Sequence, residues 1–344
     1  SDGETVLTAA DRLGVEIPTL CHDSRLDPVG CCRMCLVEVE GQRRLQPACT
    51  WKAESGQKVV TESERVHRHR DVLLSLYVSD HQPSNGHDHD ALAPANDIRR
   101  YARQYAGGPI LPAVEADRSG REDVNPYIHF DPDLCIVCER CVRYCDEVEG
   151  VSAITLANRG SKTTITTAAD QGLLDSSCEL CGGCIDTCPT GAMREKKPML
   201  VALAEQPVET EKVRTTCNYC GVGCQMDLHV VDDRLVKVTS PPPGTTLNDG
   251  NLCIKGRFAY DFVHHEDRLT KPLIRGADGE LHEASWEEAI ARAAEGLGAV
   301  KQKHGSDALA FVSSSRCTGE ENYLVQKLSR AAFGTNNCHQ CAAT

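Results

Sequence analysis

The chain has 344 residues, 20 of them cysteine, and a formal net charge of −13. Aromatics are only 4% and hydrophobic residues 40% with cysteine included, a thin supply for one large core, so two or three small modules held together by something besides apolar burial fit this length better. The acidic balance argues against a nucleic-acid partner, which needs a basic face, and no apolar run of about eighteen residues exists to span a membrane.

In chain order, Val6, Ala9, Ala10 and Leu13 share one face of a helix within residues 1–20, and Gly14 is its natural stop. Residues 21–60 carry four cysteines and short alternating segments such as Leu36-Val37-Glu38-Val39. A helix is predicted over 62–80 with Val66, Leu73, Leu74 and Tyr77 on its apolar side, followed by a polar loop over 81–97 rich in Pro, Gly, His and Asp. Residues 126–194 hold two similar cysteine runs, an internal repeat, and 198–213 read as a linker. A fourth cysteine group falls within 214–268. After Pro272 the texture changes: Ser285 caps a helix beginning Trp286-Glu287-Glu288, Ala308–Val312 reads as a buried strand, and a second helix runs from about Glu320 to Phe333. Helix, strand, helix is the opening of an α/β domain.

The cysteine spacing decides the chemistry. A disulfide framework belongs to small secreted domains with scattered spacings, whereas most cysteines here sit in C-x2-C and C-x2-C-x2-C-x3-C runs, which bind iron or zinc. The first group is Cys21, Cys32, Cys35 and Cys49, spaced C-x10-C-x2-C-x13-C. One close pair with two distant thiols suits a two-iron cluster; the alternative is zinc, which usually takes two C-x2-C pairs. The second and third groups are Cys135, Cys138, Cys141, Cys145 and Cys178, Cys181, Cys184, Cys188, with Pro189 after the last. This is the two-cluster pattern in which the fourth cysteine of each run ligates the other cluster. Cys188 is therefore expected with Cys135, Cys138 and Cys141, and Cys145 with Cys178, Cys181 and Cys184. The fourth group, Cys217, Cys220, Cys224 and Cys253, again reads as a [4Fe–4S] site. Cys31, Cys317, Cys338 and Cys341 remain, and leftover thiols of this kind are more often buried packing residues than ligands.

Gly30-Cys31-Cys32-Arg33-Met34-Cys35 resembles the G-x-C-R-x-C loop of [2Fe–2S] domains in respiratory NADH dehydrogenase and related enzymes; in that match Cys31 is not a ligand, and the fold is ubiquitin-like with an opening β-hairpin that would precede Ser1. Thr216–Arg275, with Cys253-Ile254-Lys255-Gly256, resembles the N-terminal cluster domain of the molybdenum/tungsten bis-pterin oxidoreductases, in which the lysine matched by Lys255 lies between cluster and pterin. The whole order, together with Ser314–Tyr323 and Gly334-Thr335-Asn336-Asn337, resembles the catalytic α subunit of NAD-linked formate dehydrogenases, although nitrate reductases share much of the last segment.

The resemblance implies an α+β multidomain iron–sulfur protein: a ubiquitin-like [2Fe–2S] domain over 1–65 without its hairpin, a helical segment over 66–125, a two-[4Fe–4S] ferredoxin domain over 126–200, a [4Fe–4S] domain over 212–268, and the truncated start of a molybdopterin-binding domain over 269–344. It implies one [2Fe–2S] and three [4Fe–4S] clusters, and molybdenum or tungsten bis-molybdopterin guanine dinucleotide in the full protein. Formate would be oxidised to CO2 at that metal. Electrons would run past Lys255 to the Cys217 group, cross the ferredoxin pair and leave through the [2Fe–2S] cluster to a flavin- and iron–sulfur-bearing, NAD-reducing partner subunit, since no dinucleotide-binding glycine fingerprint appears in this chain. A dedicated electron-transfer subunit and a nitrate reductase are the alternatives. Available thiolates place the protein in a reducing cytoplasm.

Two departures from the family stand out. Relatives carry an extra cluster on H-x3-C-x2-C-x5-C; His81 matches the histidine, but the cysteine positions hold Asn85, Asp88 and Pro94, so no cluster is expected there, and His87 and His89 read as solvated loop residues. The family also continues with x-D-x-C-A-R-x before a selenocysteine or cysteine. On this chain His339 replaces the aspartate, Cys341 and Ala342 match, Ala343 replaces the arginine, and Thr344 falls just before the metal-binding chalcogen. The expectation is an in-frame UGA codon after Thr344.

Overall fold

A computed structural model describes residues 3–80, 96–105, 108, 123–197 and 210–341. The expectations for His81, Asn85, His87, Asp88, His89, Pro94, Ala342, Ala343 and Thr344, and most of the linker, lie outside these residues.

Thr5 accepts a hydrogen bond from the Thr8 N–H and starts α1 (Val6–Arg12). Val6, Leu7 and Ala10 are its buried residues. Leu13, expected on that face, is 73% exposed, because the helix ends at Arg12 and Leu13 has already left helical geometry. The alternation read at 36–39 is borne out as β1 (Leu36–Val39), with Val37 and Val39 buried. This strand is the centre of a three-stranded antiparallel sheet, with β2 (Gln46–Pro47) and β3 (Val59–Val60) on either side. Its inner face packs on α1 through Val6, Leu7, Ala10, Ile17 and Ala48.

A second core joins this module to two helices, α2 (Glu64–Asp80) and α3 (Asp97–Tyr105). Leu20, Cys21, Cys32 and Met34 pack there against Leu74, Ile98, Tyr101 and Tyr105, with Leu73, Tyr77, Ile136 and Cys138 at the edge. Arg70 of α2 is fully buried and donates to Glu62 (2.5 Å) and to the Tyr105 hydroxyl (2.9 Å).

Residues 123–197 form the repeat. β4 (Ile128–Phe130) pairs antiparallel with β7 (Met193–Glu195), and β5 (Ile154–Ala157) with β6 (Thr164–Thr167). Two one-turn helices, α4 (Arg140–Arg143) and α5 (Gly183–Asp186), each carry the third cysteine of a run. The core is Ile128, Ile154, Ile165, Leu180, Ile185 and Met193, with Phe258 entering from the next module. That module is an antiparallel meander, β8 (Glu211–Thr216), β9 (Gln225–Val231) and β10 (Arg234–Thr239), followed by α6 (Ile254–Phe258).

The last module opens with a hairpin of β11 (Leu273–Arg275) and β12 (Leu281–Glu283). The expected capping box is present: Ser285 accepts from the Glu288 N–H and Glu288 from the Ser285 N–H at the start of α7 (Trp286–His304). β13 (Phe311–Ser314) leads through α8 (Gly319–Lys327) and one wider turn over Leu328–Phe333 to β14 (Cys338–Cys341), which lies parallel to β13. A parallel pair needs such a helical crossover. The strand sits later than the expected 308–312. A tight turn over Ser306–Ala308 uses up its first residues, and the shifted alternation leaves Val312 69% exposed while Ser313 is buried.

Candidate metal centres

The first thiol group lies on one curled loop and its return. Cys21, Cys32, Cys35 and Cys49 are all buried, and Cys35 Sγ stands 3.4 Å from Cys49 Sγ. Positive φ at Gly30 and Arg33 makes the curl. The Cys21 thiol is pulled down to about 2 by hydrogen bonds from the Cys31 and Cys32 thiols. Cys32 is raised by donating to Cys21 and then by burial, and Cys35 likewise by Cys49. Cys31 is exposed, against the expectation of buried packing for the leftover thiols. Its Sγ lies beside the Cys21 thiol and 4.0 Å from the Cys138 carbonyl, at the seam with the next module. Cys317 and Cys338 are half-buried.

The two runs of the repeat adopt the same backbone. Val137 and Leu180 have φ of 54° and 53°, and Glu139 and Gly182 have φ of 63° and 77°. These left-handed residues turn backbone N–H groups onto sulfur: Val137 to Cys135 Sγ, Leu180 to Cys178 Sγ and Gly183 to Cys181 Sγ, each at 3.4 Å. Cys145 and Cys188 accept from Ala153 (3.2 Å) and Met193 (3.5 Å). Burial pushes Cys138 up to about 12, and Cys188 and Cys135 add to the rise. Cys141 is raised well above the ordinary range by burial, then by Cys138, Cys188, Cys184 and Cys135. Burial pushes Cys181 up to about 12 as well, and Cys184 well above that range, the latter with contributions from Cys181, Cys178 and Cys145. Cys188 is thus among the charges that raise Cys138 and Cys141, and Cys145 among those that raise Cys178 and Cys184.

The fourth group closes the β8–β9 turn, where the Cys217 N–H donates to the Cys224 carbonyl (2.8 Å). Cys253 sits at the start of α6. Cys217 is raised by burial, then by Cys253 and Cys220, and Cys224 by burial and then by Cys217, Cys220 and Cys253. Lys255 is exposed on α6. On the far side, Arg316 lies over the Tyr219 ring (5.6 Å), so the loop of this group touches the α/β module.

Between the groups are side chains that spacing did not reveal. Arg143 (9% exposed) donates to the carbonyls of Cys21 (2.5 Å) and Asp27 (2.7 Å). Asp23 accepts from Arg25 (2.9 and 3.0 Å), Thr187 (2.8 Å) and Arg140 (3.2 Å). Tyr144 donates to Asn251, and Arg257 spans Cys181 and Asp186. Two glycines mark close approach between these groups: a Cβ at Gly183 would lie 1.9 Å from the Tyr144 ring, and one at Gly182 would lie 2.3 Å from Arg257 Cδ.

The donor chemistry fits iron–sulfur clusters: soft thiols gathered in fours, with backbone N–H groups aimed at sulfur, the arrangement that tunes such centres. Among the described residues no three His, Cys, Asp or Glu side chains close onto a single ion. A cluster does not need them to, because each iron takes only one protein thiolate in a four-iron cluster and two in a two-iron cluster.

Four family models match in the same order: a 2Fe-2S iron–sulfur cluster binding domain over 1–64, the ferredoxin-like domain of NADH-quinone oxidoreductase subunit 3 over 125–194, the molybdopterin oxidoreductase Fe4S4 domain over 210–265, and molybdopterin oxidoreductase over 268–344. The chain is 37% identical over 338 residues to the alpha subunit of an NADPH-Fe(3+) oxidoreductase of Geobacter sulfurreducens, covering 97% of this chain and 38% of that protein. It is 35% identical to one of the NADH-quinone oxidoreductase subunits of Rhizobium meliloti (97% and 38%), and 30% identical to a candidate formate dehydrogenase of Staphylococcus haemolyticus (95% and 36%). The chain therefore spans under two-fifths of the length of these relatives. It is a mixed α/β protein with a 2Fe-2S domain, ferredoxin-like 4Fe-4S domains and the start of a molybdopterin oxidoreductase domain. Among the described residues no helix is long and apolar enough to cross a membrane.

Proposed function

We propose that this chain is the iron–sulfur relay and N-terminal part of a cytoplasmic molybdopterin enzyme that oxidises formate to CO2 and delivers the electrons to a flavin-bearing, NAD-reducing partner subunit. Cys21, Cys32, Cys35 and Cys49 would hold a [2Fe–2S] cluster. Three [4Fe–4S] clusters would sit on Cys135, Cys138, Cys141 with Cys188, on Cys178, Cys181, Cys184 with Cys145, and on Cys217, Cys220, Cys224 with Cys253. Clusters at these sites would supply one-electron chemistry at potentials set by ligands, hydrogen bonds and burial.

The observation that carries this reading is the spatial order of the thiol groups. The first and second share a core through Cys21, Cys32 and Cys138. The second and third interlock, and the third meets the fourth through Arg257 and Phe258. The fourth touches the pterin-type module through Tyr219 and Arg316. A relay needs that unbroken sequence of neighbours, and Lys255, two residues past Cys253, stands on the pterin side of it in this proposal. The formate assignment rests on the resemblance of Ser314–Tyr323 and on the candidate formate dehydrogenases among the relatives.

The higher identity to the Geobacter protein favours a second reading, an NADPH-linked oxidoreductase with a metal acceptor. Expressing the gene with its downstream sequence and partner genes, and assaying formate-dependent dye reduction beside NADPH-dependent iron(III) reduction, separates the two. Dye reduction by formate is expected. Activity with NADPH and none with formate would overturn the formate reading.

A further inference from the structure

Two consecutive residues of α6 lie between the third and fourth thiol groups. Gly256 backs onto the fourth: a Cβ there would lie 3.6 Å from Cys217 Sγ. Arg257 reaches the third. Its backbone N–H donates to the Cys253 carbonyl (3.1 Å), and its side-chain Nε donates to the Cys181 carbonyl (2.9 Å). One residue thus ties a cysteine of one group to a cysteine of the other. Its fork grips Asp186 of α5, with Nη1 at 2.9 Å from Oδ1 and Nη2 on Oδ2, and Nη1 lies 3.8 Å from Glu195 Oε1.

This guanidinium is fully buried. Burying a charge is costly unless it is paired and bonded, and packing alone would be served by an apolar side chain. The loop that holds Cys181 and Cys184 is also shaped around it, since a side chain at Gly182 would collide with Arg257 Cδ and Nε. A fixed positive charge in a desolvated setting favours the more negative, reduced form of any centre beside it.

We infer that Arg257 is the positioning residue of this junction, and that its charge makes a cluster on Cys178, Cys181, Cys184 and Cys145 easier to reduce. The inference deepens the proposed relay and rests on the reading of these thiols as cluster ligands. No bond is made or broken at Arg257, and it exchanges no proton.

The test is an EPR-monitored redox titration, with dithionite as reductant, of the full chain loaded with iron and sulfide, comparing wild type with Arg257→Gln, Arg257→Lys and Asp186→Asn. Arg257→Gln should lower the midpoint of one four-iron centre by at least a tenfold change in its one-electron equilibrium, about 59 mV, and leave the two-iron centre unmoved. Arg257→Lys, which keeps the charge, should restore most of that shift. Asp186→Asn, which removes a neighbouring negative charge, should move the same centre the opposite way. If all centres are present and none moves in Arg257→Gln, the inference is overturned while the relay reading stands. If Arg257→Gln fails to hold clusters, Asp186→Asn decides: an upward shift supports the inference and an unmoved midpoint overturns it. Wild-type protein that takes up no cluster at these thiols would overturn both.

Discussion

Gly183→Ala is a substitution for which helix propensity and packing give opposite signs. Gly183 opens α5, where alanine is ordinarily better than glycine by about 1 kcal/mol. The added Cβ, however, would sit 1.9 Å from Tyr144 Cε1, against roughly 3.5–4 Å for relaxed carbon contacts. Tyr144 is 1% exposed, donates to Asn251 and lies under the Arg25 guanidinium at 4.8 Å. To clear the methyl, the ring must withdraw by roughly 1.5–2 Å, straining a packed core at about 1–3 kcal/mol. It would also give up a hydrogen bond worth about 1 kcal/mol and a cation–π contact worth about 0.5–1 kcal/mol. After the propensity gain, the net loss is roughly 2–4 kcal/mol, or about 5–15 °C in the midpoint of the cooperative unit concerned. Thermal unfolding of cluster-loaded protein followed by circular dichroism measures it. Gly296→Ala, on the exposed face of α7 with nothing within 4 Å of its Cβ, is the matched control and should gain about 1 kcal/mol. A Gly183→Ala midpoint at or above wild type would refute the packing argument.

Asp23 joins the first module to the repeat. Burial alone would raise its carboxyl, but hydrogen bonds and charge from Arg25, with Thr187, hold it well below the ordinary carboxylate range. With the folded value below the unfolded one of about 3.9, its contribution is present above that pH and is lost as pH falls towards the folded value. Asp23→Asn should flatten this acid limb in pH-dependent denaturation, and Asp23→Ala should cost about 3–5 kcal/mol by stranding buried arginines. His229 is lowered to about 4 by burial, then by Lys237 and Lys212. It is therefore neutral when folded and adds stability above about pH 6.5 that fades as pH falls towards 4; His229→Gln should remove that slope, read from denaturation midpoints across the range. Iron removal should unfold residues 126–268, because little besides the clusters supports a core so poor in aromatics; unchanged far-UV circular dichroism of iron-free protein would contradict this.

Legibility followed sequence distance. Thiol spacing, the Ser285–Glu288 cap and the 36–39 alternation are decided within a few residues, so sequence alone revealed them. The junctions were hidden because their partners are remote: Thr187 and Asp23 are 164 positions apart, Arg143 and Cys21 122, and Arg257 and Asp186 71. Nothing in periodicity marks Arg143 or Arg257 as buried, since each is bonded only once the modules dock. Leu13 and Val312 went the other way. Apolar pattern placed both inside, and a helix ending one residue early and a turn consuming the start of a strand turned both out.

The proposed relay requires clusters on all four thiol groups, in spatial sequence from the first module to the pterin-type one. EPR of dithionite-reduced, cluster-loaded protein, with iron counted on the same sample, reads out all four at once. One two-iron and three four-iron centres are expected, about fourteen irons per chain, with magnetic coupling between the pair on the Cys135 and Cys178 runs. Stoichiometric zinc in any of these groups, or four centres that show no coupling within the pair, would contradict it.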